Sequence, residues 1–315
     1  MDWLRTSRTS AGDANTGDQG TITLGEVLAR PTYEVIPTKG TDEWVDDLPE
    51  EGKVTITCSP AQGIEGTVRL AERLAEQGFR VVPHVSARLV VDEGHLKEIV
   101  ERLGNLEVKE IFVIGGDAKN PVGSFSSAFE LLSAISDLGH GFDEIGVGGY
   151  PEGHPLIDDD ALRQALLDKQ RFATYVVSQM CFDSGTILDW VADIRRLGVS
   201  LPVLIGVPGV VNKKRLLQIC RKIGVGQSAR FLRKHGGLVG SLFADLLRSG
   251  GYSPEGLVAE LAPYVGGQDR GIEGFHFYTF NQVEDTEEWR RRMLRSGAVA
   301  VTPQRKRESG DLQQP

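Results

Sequence analysis

Eight short apolar runs alternate along this chain with stretches of helical period, and that alternation restricts the fold more than any other feature. The runs are Thr32–Ile36, Lys53–Thr57, Arg80–His84, Glu110–Ile114, Glu144–Gly148, Tyr175–Ser178, Pro202–Ile205 and Gly274–Tyr278. They are rich in β-branched residues and read as strands. Between them, Leu96, Ile99, Val100 and Leu103 keep one helical face. So do Ile187, Trp190, Val191, Ile194 and Leu197, and again Leu216, Ile219, Cys220 and Ile223. Strand-then-helix repetition is the form of a parallel sheet closed by crossover helices. Eight such units between residues 29 and 297 match a single-domain α/β fold, the (β/α)8 TIM barrel. The competing open sheet wants a G-x-G-x-x-G turn after its first strand, and Pro37–Gly40 stands there instead. Residues 1–28 and 298–315 read as a mobile N-terminal tail and a polar C-terminal tail. A helical stretch over 226–264, broken near Gly236–Gly237 and Gly250–Gly251, precedes the last strand.

Composition narrows the function classes. The chain has 315 residues, 40% of them hydrophobic and 25% charged, the balance of a globular protein rather than a disordered one. Asp plus Glu outnumber Lys plus Arg by 44 to 35, for a net charge of −9. That sign argues against nucleic acid or an anionic membrane surface as partner. Cys58, Cys181 and Cys220 form no C-x-x-C or Cys/His cluster, so no metal site is expected. Unpaired thiols and the lack of an apolar leader in Met1–Gly25 fit a cytoplasmic location. No apolar run is long enough to span a bilayer as a helix.

In a barrel of this kind, chemistry sits on the loops at the strand C-terminal ends. Polar residues gather there from at least six strands. Glu34 lies inside the first apolar run, where it is either paired with a core Lys or Arg or is a carboxyl with a raised pKa, ready to give a proton. Thr57 and Cys58 end the second run. His84 ends the third, either as a satisfied core histidine or as a ligand contact. Gly115-Gly116-Asp117 follows the fourth; Asp117 either caps the next turn or accepts a hydrogen bond from a ligand that the glycines let approach. Tyr150-Pro151-Glu152-Gly153-His154-Pro155 follows the fifth and is too dense in special residues for a plain connection. Gln179 follows the sixth, either filling a barrel layer or touching substrate. Phe275–Asn281 closes the chain's last strand, and aromatic packing is its plain explanation.

These segments, in this order, resemble the methylenetetrahydrofolate reductase family over residues 32–295. Tyr33-Glu34-Val35-Ile36-Pro37 is similar to the family's F-E-F-F-P, and Thr57 to its second-strand threonine. Pro83-His84 is similar to P-H-L-T, and Gly116-Asp117 to the R-G-D turn. Gly149-Tyr150-Pro151-Glu152-Gly153-His154-Pro155 is similar to A-Y-P-E-x-H-P. Gln179-Met180-Cys181-Phe182-Asp183 resembles Q-x-x-F-D, and Phe275-His276-Phe277-Tyr278-Thr279-Phe280-Asn281 resembles F-H-F-Y-T-L-N. The resemblance implies reduction of 5,10-methylenetetrahydrofolate to 5-methyltetrahydrofolate, with FAD as hydride carrier and NADH or NADPH as donor. It implies Glu34 as the proton donor to N10 and Asp117 as a pterin contact that steadies the iminium. Gln179 and Tyr278 would bind the folate. Thr57, His84, Gly116, Asp117, Tyr150 and His154 would line the flavin, and Lys169 is the nearest candidate for the family's cofactor lysine.

The departures are specific. Gly115 stands where the family has the arginine of R-G-D. Gly206-Val207-Pro208-Gly209 keeps the loop after the seventh strand, but Asn212, Lys213 and Lys214 replace an aromatic residue. Gln282 stands where arginine is common. Pterin contacts thus match better than contacts to the FAD and folate tails. The losses are compatible with a reductase of the same fold that takes hydride directly from a nicotinamide, or from a deazaflavin. A barrel that only binds tetrahydrofolate is a further alternative, and so is an enzyme acting on other one-carbon pterins. The implied partners are a folate and a nicotinamide, with a homo-oligomer open.

Overall fold

The computed structural model describes residues 24–38, 43–212, 251–267 and 270–296. Eight parallel strands close into a barrel in the order β1-β10-β7-β6-β5-β4-β3-β2. They are β1 (Thr32–Val35), β2 (Lys53–Ile56), β3 (Arg80–Ser86), β4 (Glu110–Ile114), β5 (Glu144–Gly149), β6 (Tyr175–Ser178), β7 (Val203–Pro208) and β10 (Ile272–Tyr278). A separate antiparallel pair, β8 (Val211–Asn212) with β9 (Gly251–Tyr252), stands beside it. The helices are α1 (Leu24–Ala29), α2 (Gly63–Glu76), α3 (Glu93–Asn105), α4 (Ala128–Leu138), α5 (Asp159–Lys169), α6 (Ser184–Arg196), α7 (Glu255–Leu261) and α8 (Val283–Arg295).

All eight expected strands are present, but some run further than the apolar runs did. β3 continues two residues past His84 to Ser86, which draws His84 into the barrel. β7 extends to Pro208, because His276 and Tyr278 of β10 pair with Gly206 and Pro208. The helix starts are dictated locally. Asp92, Asp158 and Asp183 each cap a helix through a side-chain oxygen, and Ser127 with Glu130 closes a capping box. Asp183 of the Gln179–Asp183 segment is therefore a helix cap, accepting from the Thr186 N–H at 2.7 Å.

Alternation sorts each strand into two faces. Outward residues meet the helices in one large apolar core. Phe277 packs on Trp289 of α8 at 5.6 Å and edge-on to Tyr33 at 5.8 Å. Inward residues fill the lumen. Val82, Phe112, Tyr175 and Val177 make its apolar middle, with Ile114 and Leu204 against them. That plug seals the barrel and leaves polar inward positions only near its two ends.

One boundary needs correction. Residues 24–28 read as part of the mobile tail in the sequence, yet Leu24–Ala29 is a helix with Leu24 and Leu28 buried. Leu24, Val27 and Leu28 stand at i, i+3 and i+4, enough for one apolar face. Burying a leucine stabilises by about 1.5–3 kcal/mol. The helix end is also tied down, since Arg290 donates to the Leu28 carbonyl at 2.8 Å. The helix expected at 216–223, Lys213 and Lys214, most of the 226–264 stretch, and the 1–23 and 298–315 segments lie outside the described residues.

Candidate active site

Glu34 projects into the lumen from the C-terminal end of β1, and its side chain keeps 14% exposure. Among the described residues neither Lys nor Arg meets it. Its partners are two buried histidines: His276 Nε2 lies 3.1 Å from Oε2 and His84 Nε2 lies 3.6 Å from the same oxygen. Burial pushes His84 down to about 4, against the opposing pull of Glu34, so its ring is neutral at pH 7. That ring also leans on Phe112 with centroids 4.7 Å apart. Tyr278 donates from its hydroxyl to the Ser178 carbonyl at 3.0 Å. Burial, and then the Glu34 charge, hold its phenol well above the ordinary range, so it stays a donor.

The segment after β10 fixes Glu34 from behind. Thr279 donates from Oγ1 to the Glu34 carbonyl at 2.6 Å. Asn281 brackets the next peptide, accepting from the Ile36 N–H at 2.7 Å and donating to the Ile36 carbonyl at 2.8 Å. To reach it, Phe280 and Asn281 adopt φ of 53° and 64°. Asn tolerates that region and a bulky Phe does not, so the turn stores local strain. The aromatic-rich segment that reads as core packing is in large part the mount for Glu34.

Asp117 belongs to the loop after β4. Gly116 has φ of +94°, and a Cβ there would overlap the Ser86 hydroxyl. The loop is clipped by Arg88, in the 3-10 turn Ala87–Leu89 after β3. Its guanidinium donates to the carbonyls of Ala118 at 2.6 Å, Lys119 at 2.7 Å and Ser126 at 3.3 Å. Its own N–H donates to the Gly115 carbonyl at 3.0 Å. Nothing in a scan of strand ends points to Arg88. It brings a cation to a loop whose turn lacks one, and spends it on backbone oxygens.

Asp117 is exposed, and its charge reaches the side chains that follow β5. Burial and then Asp117 raise the Tyr150 phenol, while burial lowers His154 against the opposing pull of Asp117. The two rings meet edge to face at 5.4 Å. Gln179 is half-buried; its N–H donates to the Gly149 carbonyl at 2.7 Å, and its Oε1 accepts from the Met180 N–H at 2.9 Å. Thr57 Oγ1 is buried with no hydrogen-bond partner. Lys169 is set apart. Its ammonium donates to the Gly148 carbonyl at 3.3 Å, and burial lowers it to about 8. It lines a cavity of about 340 Å³ between α5 and α6 with Gly148, Tyr150 and Trp190.

The geometry thus joins Glu34, His84 and Tyr278 in one group and Asp117, Tyr150 and His154 in another. Thr57 and Gln179 stand at the ends of neighbouring strands, and Lys169 sits on the helix side of β5. Sequence reasoning missed His276 and Arg88. The orphaned Thr57 hydroxyl fits a flat polar heterocycle at the mouth. For a diphosphate tail, Lys169 and Arg163 of α5 are cations that line the neighbouring cavity.

The sequence profile described as methylenetetrahydrofolate reductase matches residues 48–232. Methylenetetrahydrofolate reductase (NADH) 1 of Arabidopsis thaliana is 31% identical over 108 residues, 31% of this chain and 18% of that protein. Methylenetetrahydrofolate reductase 2 of Saccharomyces cerevisiae is 31% identical over 109 residues, 32% of this chain and 18% of that protein. A probable methylenetetrahydrofolate reductase (NADH) of Oryza sativa subsp. japonica is 23% identical over 219 residues, 60% of this chain and 36% of that protein. The matches span about a third or less of those relatives' lengths. The profile covers more than half of this chain, and the chain belongs to the methylenetetrahydrofolate reductase family.

Proposed function

We propose that this protein reduces 5,10-methylenetetrahydrofolate to 5-methyltetrahydrofolate, drawing hydride from NADH or NADPH. The observation that carries the reading is Glu34, a carboxyl at the lumen mouth whose neighbours are imidazoles rather than fixed cations. A carboxyl at that place can serve as general acid to N10 of a folate seated in the mouth. In the reaction the Glu34 O–H bond breaks and an N10–H bond forms. The bond from N10 to the bridging carbon then opens with its electrons going to N10, and an iminium at N5 remains. Hydride adds to that carbon and gives the methyl group.

Asp117 is the counter-charge for the iminium, set at the mouth by the loop that Arg88 clips. Gln179 and Tyr278 hold the pterin. FAD, when bound, supplies the hydride relay between nicotinamide and folate. Thr57, His84, Gly116, Asp117, Tyr150 and His154 would hold its ring, and Lys169 its phosphates.

A second reading has its own observation. Gly115 stands where the family's turn carries an arginine, and the Arg88 guanidinium is occupied by three carbonyls. Direct transfer from a nicotinamide, or from a deazaflavin, needs no cation there. The visible spectrum of the purified protein separates these readings: a bound flavin is yellow. A protein that turns over methylenetetrahydrofolate without colour supports direct transfer, and one inactive with every donor supports a binding barrel. The proton-donor assignment is tested with Glu34→Gln. Folate reduction falls by at least about 100-fold, while the variant keeps its thermal midpoint and its folate affinity. Wild-type folate turnover in that variant sinks the reading.

A further inference from the structure

We propose that His276 is a positioning residue for Glu34, holding the carboxyl by Oε2 so that Oε1 is the oxygen that delivers the proton. The inference rests on the reading of Glu34 as the donor and says how that donor is kept in register. Three observations support it.

First, both imidazoles converge on one oxygen. His276 Nε2 and His84 Nε2 lie 3.1 and 3.6 Å from Oε2. Oε1 accepts no hydrogen bond among the described residues, so the carboxyl is anchored on one side only. Second, the anchored side is sealed. His276 is 1% exposed, while the Glu34 side chain keeps 14%. The register is built into the sheet, since β1 pairs with β10 through Thr32 opposite His276 and Glu34 opposite Tyr278.

Third, the histidine's far nitrogen assigns the proton. His276 Nδ1 is buried and has no hydrogen-bond partner among the described residues. An orphaned buried N–H is more costly than an orphaned lone pair, so Nδ1 is the bare nitrogen and Nε2 carries the hydrogen. Nε2–H then donates to Oε2. With Oε2 already accepting, the acid proton of Glu34 sits on Oε1. When it leaves for N10, the O–H bond breaks, the N–H bond forms, and the negative charge left behind is met by the Nε2–H already in place. His276 does not change its own protonation in this step.

The groups facing Glu34 are few. His84 comes from β3, kept neutral by burial. Tyr278 comes from β10, with its hydroxyl committed to the Ser178 carbonyl. Thr55 comes from β2 and does not titrate; it donates to the Tyr33 carbonyl at 3.4 Å.

The test titrates Glu34 in the full chain without ligands, by carboxyl carbon NMR, with the signal assigned from Glu34→Gln. In His276→Phe the ring volume is kept and the donor is lost. The carboxylate is then less stabilised, and the Glu34 midpoint rises. In His276→Gln the side-chain amide reaches Oε2, and the midpoint stays near wild type. Folate reduction follows the same split: kcat falls about 10- to 100-fold in the Phe variant with little change in KM, and the Gln variant recovers most of it. If the Phe variant does not fold, His276→Asn, whose amide falls short of Oε2, replaces it. An unmoved Glu34 midpoint in the Phe variant overturns the inference. So does equal loss of turnover in the Phe and Gln variants. Inactive Glu34→Gln together with fully active His276→Phe overturns the role of His276 and leaves the donor standing. Active Glu34→Gln overturns the donor itself.

Discussion

The two ends of the barrel lumen both bury carboxylates, and they treat them in opposite ways. At the N-terminal end, Lys53 reaches Glu110 at 2.6 Å and Glu144 at 2.9 Å. Burial raises Glu110 against the pull of Lys53, and the hydrogen bond from Lys53 holds Glu144 below the usual range. Tyr175 packs against the same group, its phenol raised well above the ordinary range by burial and then by the Glu110 charge. At the C-terminal end, Glu34 faces two imidazoles, a phenol and the Thr55 hydroxyl, with no Lys or Arg against it among the described residues. The shared cation ties β2, β4 and β5 together and makes the closed-end cluster structural. The open end gives Glu34 hydrogen-bonding rings instead. The apolar plug of Val82, Phe112 and Val177 keeps the two ends apart.

The strongest way to break this contrast is to remove the cation at the closed end. Lys53→Met leaves the buried Glu110 carboxylate without its cation, beside an exposed Glu144, and destabilises the fold by about 3 kcal/mol, read as a fall in thermal midpoint. The fraction that stays folded keeps its folate turnover. The pH dependence changes too. The Glu144 pKa is lowered in the folded state, so its stabilisation is present above the unfolded carboxyl pKa and lost as pH falls through the lowered folded value. The Met variant loses that acid-side dependence. A variant whose activity falls further than its stability would mean the two ends are coupled.

His84 sharpens the contrast from the open end. Its folded pKa of about 4 lies below the unfolded value near 6.5. Between those values the unfolded chain binds the extra proton, so stability rises with pH across that window and is fully present above it. The slope amounts to up to about 3 kcal/mol. His84→Phe removes it, and urea unfolding at pH 4, 5, 6 and 7 reads the change. An unaltered slope would mean that another group carries the acid lability.

Asn281→Ala probes the mount rather than the site. It removes two hydrogen bonds to the Ile36 peptide, worth about 1–2 kcal/mol together. Alanine tolerates the left-handed turn less well than asparagine, which adds to that loss. Folate reduction falls more than stability does, because Glu34 loses its fixed backbone. Equal losses in both would make Asn281 purely structural.

Strand identity was legible because each buried strand is a β-branched run, and Glu34, His84, Asp117, Tyr150 and His154 were legible because chemistry in this fold gathers at strand ends. Helix α1 was not, since a single turn of apolar spacing is too little to stand out against a polar tail. His276 was hidden for a different reason. It lies inside an aromatic run, and its role exists only through the pairing of β1 with β10, which joins residues far apart in the chain. Lys169 shows the converse limit: a basic residue near the expected position, whose ammonium meets a backbone carbonyl and a cavity wall.

Arg88 was illegible because a cation was sought at position 115 and arrives from the neighbouring strand's exit. The smallest expected effect lies there, and it sharpens the comparison most finely. Glu34 is mounted on rigid strand, whereas Asp117 rides on a loop held by one guanidinium. Lysine keeps the charge at 88 but not the planar fork, so Arg88→Lys holds at most part of the three-carbonyl clip. The stability change is about 1 kcal/mol or less, because the main-chain contacts to Gly115 and Val122 remain. The Glu34 end is untouched, so the pH profile of turnover keeps its shape. Folate KM rises several-fold as Asp117 samples more positions. A change in the pH profile with KM unmoved would place Arg88 in the proton chemistry and dissolve the distinction between the rigid donor and the loop-borne counter-charge.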